Sequence, residues 1–317
     1  MKILITDSAT VTVDNDVNLD VFEQFGEVVK YDNISCEDLF KEVVDCDVVL
    51  SNKVVIDRAV MQKAQKLKYI GLFATGYNNI DINAAHEYGI TVCNTAGYST
   101  NAVAQQVIAY ILMHYTRVNE YNTFVKQGGW KESKLFSPLV FPTDEVYGKT
   151  LGIIGYGDIG KAVEKAALGL GMNVIVYTRT IKENGVTKFV NFDELLQSSD
   201  VVSVHCPLTD KTADLMNKNA FKKMKDGAFF INTSRGGVVE EQALADALDS
   251  GKLSGAAVDV LKSEPMSADC VLHNAKNITI TPHTAWAPLS TRQRLLDLVV
   301  KNLSNFLNGE KVKNLAE

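Results

Sequence analysis

A chain of 317 residues has room for about two domains of ordinary size. Its 46% hydrophobic and 22% charged residues suit a globular protein with a sizeable core, and a net charge of −6 with no Lys/Arg block argues against a general nucleic-acid surface. No run reaches the roughly 18 apolar residues of a membrane span. The cysteines (Cys36, Cys46, Cys93, Cys206, Cys270) are scattered, odd in number and never in Cys-x-x-Cys spacing, so reduced thiols in a cytoplasmic protein are expected, with no disulfide and no metal.

The N-terminus enters a strand at once, at 2–6, so no secretory leader is expected. Strands at 28–31, 47–50, 69–73 and 91–94 then alternate with helices at 19–26, 36–44, 57–64 and 82–88. Such alternation predicts a parallel sheet covered on both faces. A long helix is expected over 101–126, where Ala102, Ala104, Val107, Ile108, Ile111, Leu112 and Tyr115 form one broad apolar face behind the N-cap types Ser99, Thr100 and Asn101. It reads either as a core helix or as a subunit contact. A second β/α series follows, with strands at 150–154, 173–177, 201–205, 228–232, 255–259 and 278–281, as in a doubly wound sheet. The amphipathic helix at 290–307 comes after the last strand and can return to the first half. The predicted organisation is therefore a discontinuous first domain, 1–99 plus 290–317, around a second at 100–289.

The second series opens with a glycine pattern. Leu151-Gly152-Ile153-Ile154 ends in Gly155-Tyr156-Gly157-Asp158-Ile159-Gly160, and a helix-compatible stretch follows. This strand–turn–helix is the setting that a dinucleotide pyrophosphate requires. Gly155 allows the tight turn, Gly157 lets backbone approach the phosphates, and Gly160 lets helix and strand pack closely. The free N–H groups and the positive end of the helix dipole then face the anion.

Three later strand ends carry chemistry: Asn232-Thr233-Ser234-Arg235-Gly236-Gly237, Asp259-Val260-Leu261-Lys262-Ser263-Glu264-Pro265 and Thr281-Pro282-His283-Thr284-Ala285-Trp286. Ligands of open parallel sheets bind at the carboxyl ends of strands, so an arginine, a carboxylate and a histidine gather where the nucleotide sits. Reduction of a 2-keto acid uses those types. A carboxylate suits a forked cation. The carbonyl oxygen needs a general acid that titrates near neutrality, and a carboxylate on the far ring nitrogen orients the imidazole. Singly, each has an ordinary reading as a loop cation, a solvated turn or a loop histidine. Together, downstream of one nucleotide turn, they argue for a site.

At this point the sequence resembles the D-isomer-specific 2-hydroxyacid dehydrogenases over essentially its whole length. The matching blocks are 71–81, 101–105, 148–160, 205–209, 232–237, 259–265 and 282–286, and the wording of 101–105 and 282–287 is most similar to the hydroxypyruvate reductase (glycerate dehydrogenase) branch. The resemblance implies an α/β protein of two doubly wound parallel-sheet domains: a Rossmann dinucleotide-binding domain and a smaller flavodoxin-like substrate domain. It implies catalysis by Arg235, Glu264 and His283, with backbone N–H groups of Ala74, Thr75 and Gly76 joining Arg235 and His283 around the substrate. It implies cofactor contacts from Gly155, Gly157, Asp158, Ile159, Gly160, Thr178, Arg179, Thr180, His205, Cys206, Pro207, Thr212, Thr233, Ser234, Arg235, Asp259, His283 and Ala285. It also implies a homodimer built on the nucleotide-binding domains, with the Asn101 helix at the interface.

The activity it implies is hydride transfer from NAD(P)H to hydroxypyruvate or glyoxylate. A bulkier 2-keto acid such as phenylpyruvate is the alternative substrate, and a dinucleotide-sensing regulatory scaffold the alternative of another class. Two positions depart from the family. Its members usually carry Asp or Glu at the end of the second nucleotide-domain strand, bonding the ribose of NAD, whereas this strand ends Tyr177-Thr178-Arg179-Thr180. No carboxylate repels a 2′-phosphate there and Arg179 can pair with one, so NADP is the expected cofactor, with NAD the alternative. Gln105 stands where many members carry Glu, with no consequence assigned to it.

Overall fold

A computed structural model describes residues 1–181 and 187–316. Contacts divide the chain into two units, Met1–Ser99 with Trp286–Glu317, and Thr100–Ala285. The return to the first unit comes at Trp286 rather than at 290, because the Trp286 ring packs edge-on against Tyr98, with centroids 6.1 Å apart, and Arg292 Nε donates to Ala287 O. The expected ranges also took in 182–186 and 317, which lie outside the described residues.

The first unit holds β1 (Lys2–Ile5), β2 (Glu27–Lys30), α1 (Cys36–Glu42), β3 (Val48–Ser51), α2 (Arg58–Lys63), β4 (Tyr69–Leu72), α3 (Ile82–Glu87), β5 (Thr91–Cys93) and a C-terminal helix, Leu289–Leu307. Residues Leu19–Phe25 form 3-10 turns in place of the expected helix. The strands pair in parallel in the order β2-β1-β3-β4-β5, the flavodoxin-like arrangement. Strand alternation separates two apolar layers. Leu4, Val49, Ile70 and Val92 pack with the helices of one face, while Ile3, Leu50 and Tyr69 pack with Leu295, Leu296, Val299 and Leu303 of the C-terminal helix. Burial on both faces explains why β3 and β4 read as continuous apolar runs rather than alternating ones.

The second unit holds α4 (Thr100–Thr116), α5 (Val118–Lys126), α6 (Gly129–Glu132), β6 (Thr150–Ile154), α7 (Asp158–Gly169), β7 (Asn173–Tyr177), β8 (Lys188–Phe189), α8 (Phe192–Ser198), β9 (Val201–Val204), α9 (Lys218–Lys223), β10 (Ala228–Asn232), α10 (Glu241–Asp249), β11 (Leu253–Val258) and β12 (Ile278–Ile280). Its parallel sheet runs β12-β11-β10-β9-β6-β7-β8. The strand order reverses between β6 and β9, which is where such sheets bind nucleotides. Two expectations change. The single helix over 101–126 is two, broken at Arg117, whose φ of +53° is left-handed. α4 buries Val107, Tyr110 and Ile111 whereas α5 buries nothing, so the break lets the chain leave the core. The sheet gains a strand, β8, two residues long and too short for any periodicity to announce. No helix among the described residues is long and apolar enough to cross a membrane.

Candidate active site

The glycine turn lies in the β6/β9 crevice. Gly155 has φ +95°, and a Cβ there would stand 2.6 Å from Cys206 N and 2.7 Å from His205 C, so only glycine lets the turn meet the end of β9. A Cβ on Gly160 would lie 2.5 Å from the Gly155 carbonyl oxygen, which fixes how closely α7 packs on β6. Gly157 is different: nothing lies within 4 Å of its Cβ position. It is the N-cap of α7 and offers no side-chain cap, so the first N–H groups, at Asp158, Ile159 and Gly160, are left to a ligand.

On the β9 side, burial pushes the His205 ring down to about 4, and its Nε2 lies 2.9 Å from Ser203 Oγ. Burial also raises the Cys206 thiol. Thr212 Oγ1 accepts from Thr209 N and donates to Pro207 O, both at 2.7 Å, so this side chain closes the loop after β9. At the far edge, beyond β7, Thr178 is half-buried while Arg179 and Thr180 are exposed.

The ends of β10, β11 and β12 are neighbours in the sheet, and their loops brace one another. Asn232 is buried; its Oδ1 accepts from Ser234 N and Oγ, and its Nδ2 donates to Arg235 O. Arg235 is half-buried and its Nη1 donates to Ser234 O at 2.7 Å. Gly236 brings this loop onto the next, since a Cβ there would fall 1.9 Å from Leu261 C and 2.3 Å from Lys262 N. Within that second loop Glu264 Oε1 accepts from Leu261 N at 2.9 Å, and Glu264 Oε2 lies 2.7 Å from His283 Nδ1.

His283 itself has φ +55°, a conformation that costs a non-glycine residue about 1–2 kcal/mol and needs surroundings to hold it. Asp259 supplies them. Its backbone oxygen accepts from His283 N, and its buried carboxylate accepts from Thr281 Oγ1, Thr284 N and Ala285 N. Tyr110 of α4 bonds to Thr281 Oγ1 in turn. In the first unit, Thr75 Oγ1 donates to Thr95 O at 2.8 Å and Asn94 Nδ2 to Thr75 O at 2.6 Å, which anchors the loop after β4.

The model of the family described as "D-isomer specific 2-hydroxyacid dehydrogenase, NAD binding domain" matches residues 108–285, nearly the whole second unit. The chain is 41% identical to a hydroxypyruvate reductase of Blautia hydrogenotrophica over 98% of both chains. It is 42% identical to a glyoxylate reductase of Thermococcus litoralis over 82% of this chain and 80% of that one. Among solved structures, the TT0316 protein of Thermus thermophilus superposes with a TM-score of 0.88 at 35% identity, covering 99% of each chain. The chain belongs to the D-isomer specific 2-hydroxyacid dehydrogenase family.

As a 2-hydroxyacid dehydrogenase of this family it uses a nicotinamide dinucleotide, and its residues fit one. Besides the uncapped α7 and the open space at Gly157, Thr233 Oγ1 at the end of β10 is buried with no partner, a polar atom awaiting a ligand. Among the described residues no cluster of three His, Cys, Asp or Glu side chains is arranged to hold a metal ion. The sequence pointed to Arg235, Glu264 and His283 directly, but missed Asn232, Thr281 and Tyr110 as supports. Thr281 stands two residues before His283, a signal the sequence offered, whereas the burial of Tyr110 and its bond to Thr281 come only with the fold.

Proposed function

We propose that the protein reduces hydroxypyruvate or glyoxylate to the D-2-hydroxy acid with NADPH as its preferred reductant. The observation that carries the reading is the His283–Glu264 pair. The carboxylate is 2.7 Å from Nδ1, while Nε2 has no hydrogen bond among the described residues and the side chain remains 26% exposed. A ring held from behind, with its other nitrogen open, is built to pass a proton. When bound, the reduced nicotinamide supplies the hydride. His283 donates its Nε2 proton to the carbonyl oxygen as that oxygen gains charge, while Glu264 holds the ring through Nδ1. Arg235 grips the substrate carboxylate with its planar fork. Run backwards, His283 takes the hydroxyl proton.

NADPH preference rests on Arg179 and the neighbouring hydroxyls of Thr178 and Thr180, at a strand end with no carboxylate to repel a 2′-phosphate. A cytoplasmic homodimer completes the reading. Phe136 is 92% and Leu139 87% exposed in the segment after α6, which suits a surface that a second copy of the chain covers. Nicotinamide absorbance with a panel of small and bulky 2-keto acids, crossed with NADPH and NADH, tests substrate and cofactor together. Turnover confined to phenylpyruvate-sized acids, or better efficiency with NADH, contradicts the corresponding half. Light scattering of wild type beside Phe136→Asp tests the dimer.

A further inference from the structure

We propose that Tyr110 and Thr281 are positioning residues that set the His283 turn from inside the nucleotide-binding unit, through Asp259; this rests on His283 being the general acid. The polarity of the chain follows from proton counting. A carboxylate cannot donate to a hydroxyl, so Thr281 Oγ1 gives its one proton to Asp259 Oδ1. Toward Tyr110, Thr281 then has only lone pairs, and Tyr110 is the donor. The order is Tyr110 O–H to Thr281 O–H to Asp259 carboxylate, running from the buried face of α4 to the end of β12. The same carboxylate accepts from Thr284 N and Ala285 N, and the Asp259 carbonyl accepts from His283 N. Every residue of the turn except Pro282, which has no N–H to give, is therefore tied to Asp259 by a hydrogen bond of its own.

The turn needs such ties because His283 is held at φ +55°. Asp259 is 2% exposed, so water cannot replace a lost donor cheaply. Removal of the Thr281 hydroxyl would leave Asp259 Oδ1 with Thr284 N alone and would leave the Tyr110 hydroxyl only its bond with Gln106. The fold would persist on its apolar layers, but the ring would be aimed less well. That is a defect in rate rather than in binding, since neither hydroxyl belongs to the groups that grip substrate or dinucleotide.

Steady-state kinetics of Thr281→Val, Thr281→Ser, Tyr110→Phe and the Tyr110→Phe/Thr281→Val double variant provide the test, with dinucleotide Kd from titration calorimetry and Tm alongside. Thr281→Val is expected to lose about ten- to hundredfold in kcat, as a slightly misaimed reacting group does. Its KM for keto acid and its dinucleotide Kd should stay within about twofold of wild type. Thr281→Ser, which keeps the hydroxyl, should recover most of the rate. Tyr110→Phe should lose less than Thr281→Val, and the double variant no more than Thr281→Val alone, because the two act in series.

The proposal is overturned by unchanged kcat in Thr281→Val, by a loss confined to KM or Kd, or by a Thr281→Ser as slow as the valine variant. If Thr281→Val does not fold, Tyr110→Phe decides by the same split between kcat and binding. Wild type inert toward every keto acid overturns the activity and this inference with it. An active wild type with unaffected variants overturns this inference alone.

Discussion

At the ends of β10, β11 and β12 nearly every polar side chain leans on another: Asn232 on Ser234 and Arg235, Glu264 on Leu261 and His283, Asp259 on Thr281, Thr284 and Ala285. At the end of β7, in the same sheet, Arg179 and Thr180 stand exposed with no such bracing among the described residues. The first region is preorganised, so the groups that the proposed mechanism brings to a transition state are fixed before substrate arrives. On the proposed reading the second meets only the adenosine half of the cofactor, where a long flexible cation can adjust to its partner. Chemistry should therefore be intolerant of change at one end, and cofactor choice negotiable at the other.

The comparison breaks most sharply at His283. General acid–base catalysis is worth about 10² to 10⁴ in rate, so His283→Ala should lose at least about two decades of kcat while dinucleotide Kd changes little. A variant within threefold of wild type removes His283 from the mechanism. Arg235→Lys keeps the charge and loses the fork. Its KM for keto acid should rise about tenfold or more and its kcat should fall, because orientation goes with the second donor. Normal substrate kinetics in this variant mean that the fork is not used. Glu264→Gln keeps a hydrogen-bonding atom near Nδ1 but withdraws the charge, and about a tenfold loss of kcat with an unchanged KM is expected. Equal losses in kcat and in dinucleotide binding would instead show that the loop had collapsed.

The exposed end should respond more gently. A charge-assisted contact to phosphate is worth about 1.5–3 kcal/mol, or one to two decades. Arg179→Ala should weaken NADPH alone, and Thr178→Asp should swing preference toward NADH by repelling the 2′-phosphate. If Arg179→Ala weakens both dinucleotides equally, the guanidinium covers adenine rather than phosphate.

The same contrast sets how much was legible in the sequence. The glycine turn and the strand ends were readable because their residue types are dictated locally: a left-handed Gly155, a close approach at Gly160, a histidine with a carboxylate in the loop after the preceding strand. The parallel sheets followed from β/α alternation, and the family resemblance rested on the same blocks. What stayed hidden depends on tertiary contact. Arg117 breaks the long helix with neither glycine nor proline to announce it, because the core ends there and the apolar face of α4 ends with it. The role of Gly236 needs the backbone at Leu261 to be known, and that of Tyr110 needs a partner 171 residues away.

Packing around the braced region also has a consequence in acid, and here the smallest effect is expected. Burial pushes both His205 and His114 down to about 4 from the ordinary 6.5. His114 stacks on Phe229 with centroids 4.0 Å apart, and its Nε2 meets Ser254 Oγ at 3.0 Å. The folded pKa lies below the unfolded one, so between about 6.5 and 4 the unfolded chain binds more protons than the folded chain. Stability is then fully present above pH 6.5 and declines as the pH falls through that window, with a slope of at most one proton for each ring. His114→Gln keeps a polar partner for Ser254 and removes one of the two titrations. Denaturant midpoints measured from pH 7.5 to 4.5 should fall less steeply in that variant than in wild type, even if its stability at neutral pH is lower for want of the stacked ring. Parallel curves for the two proteins would mean that His114 takes up its proton equally well in the folded state.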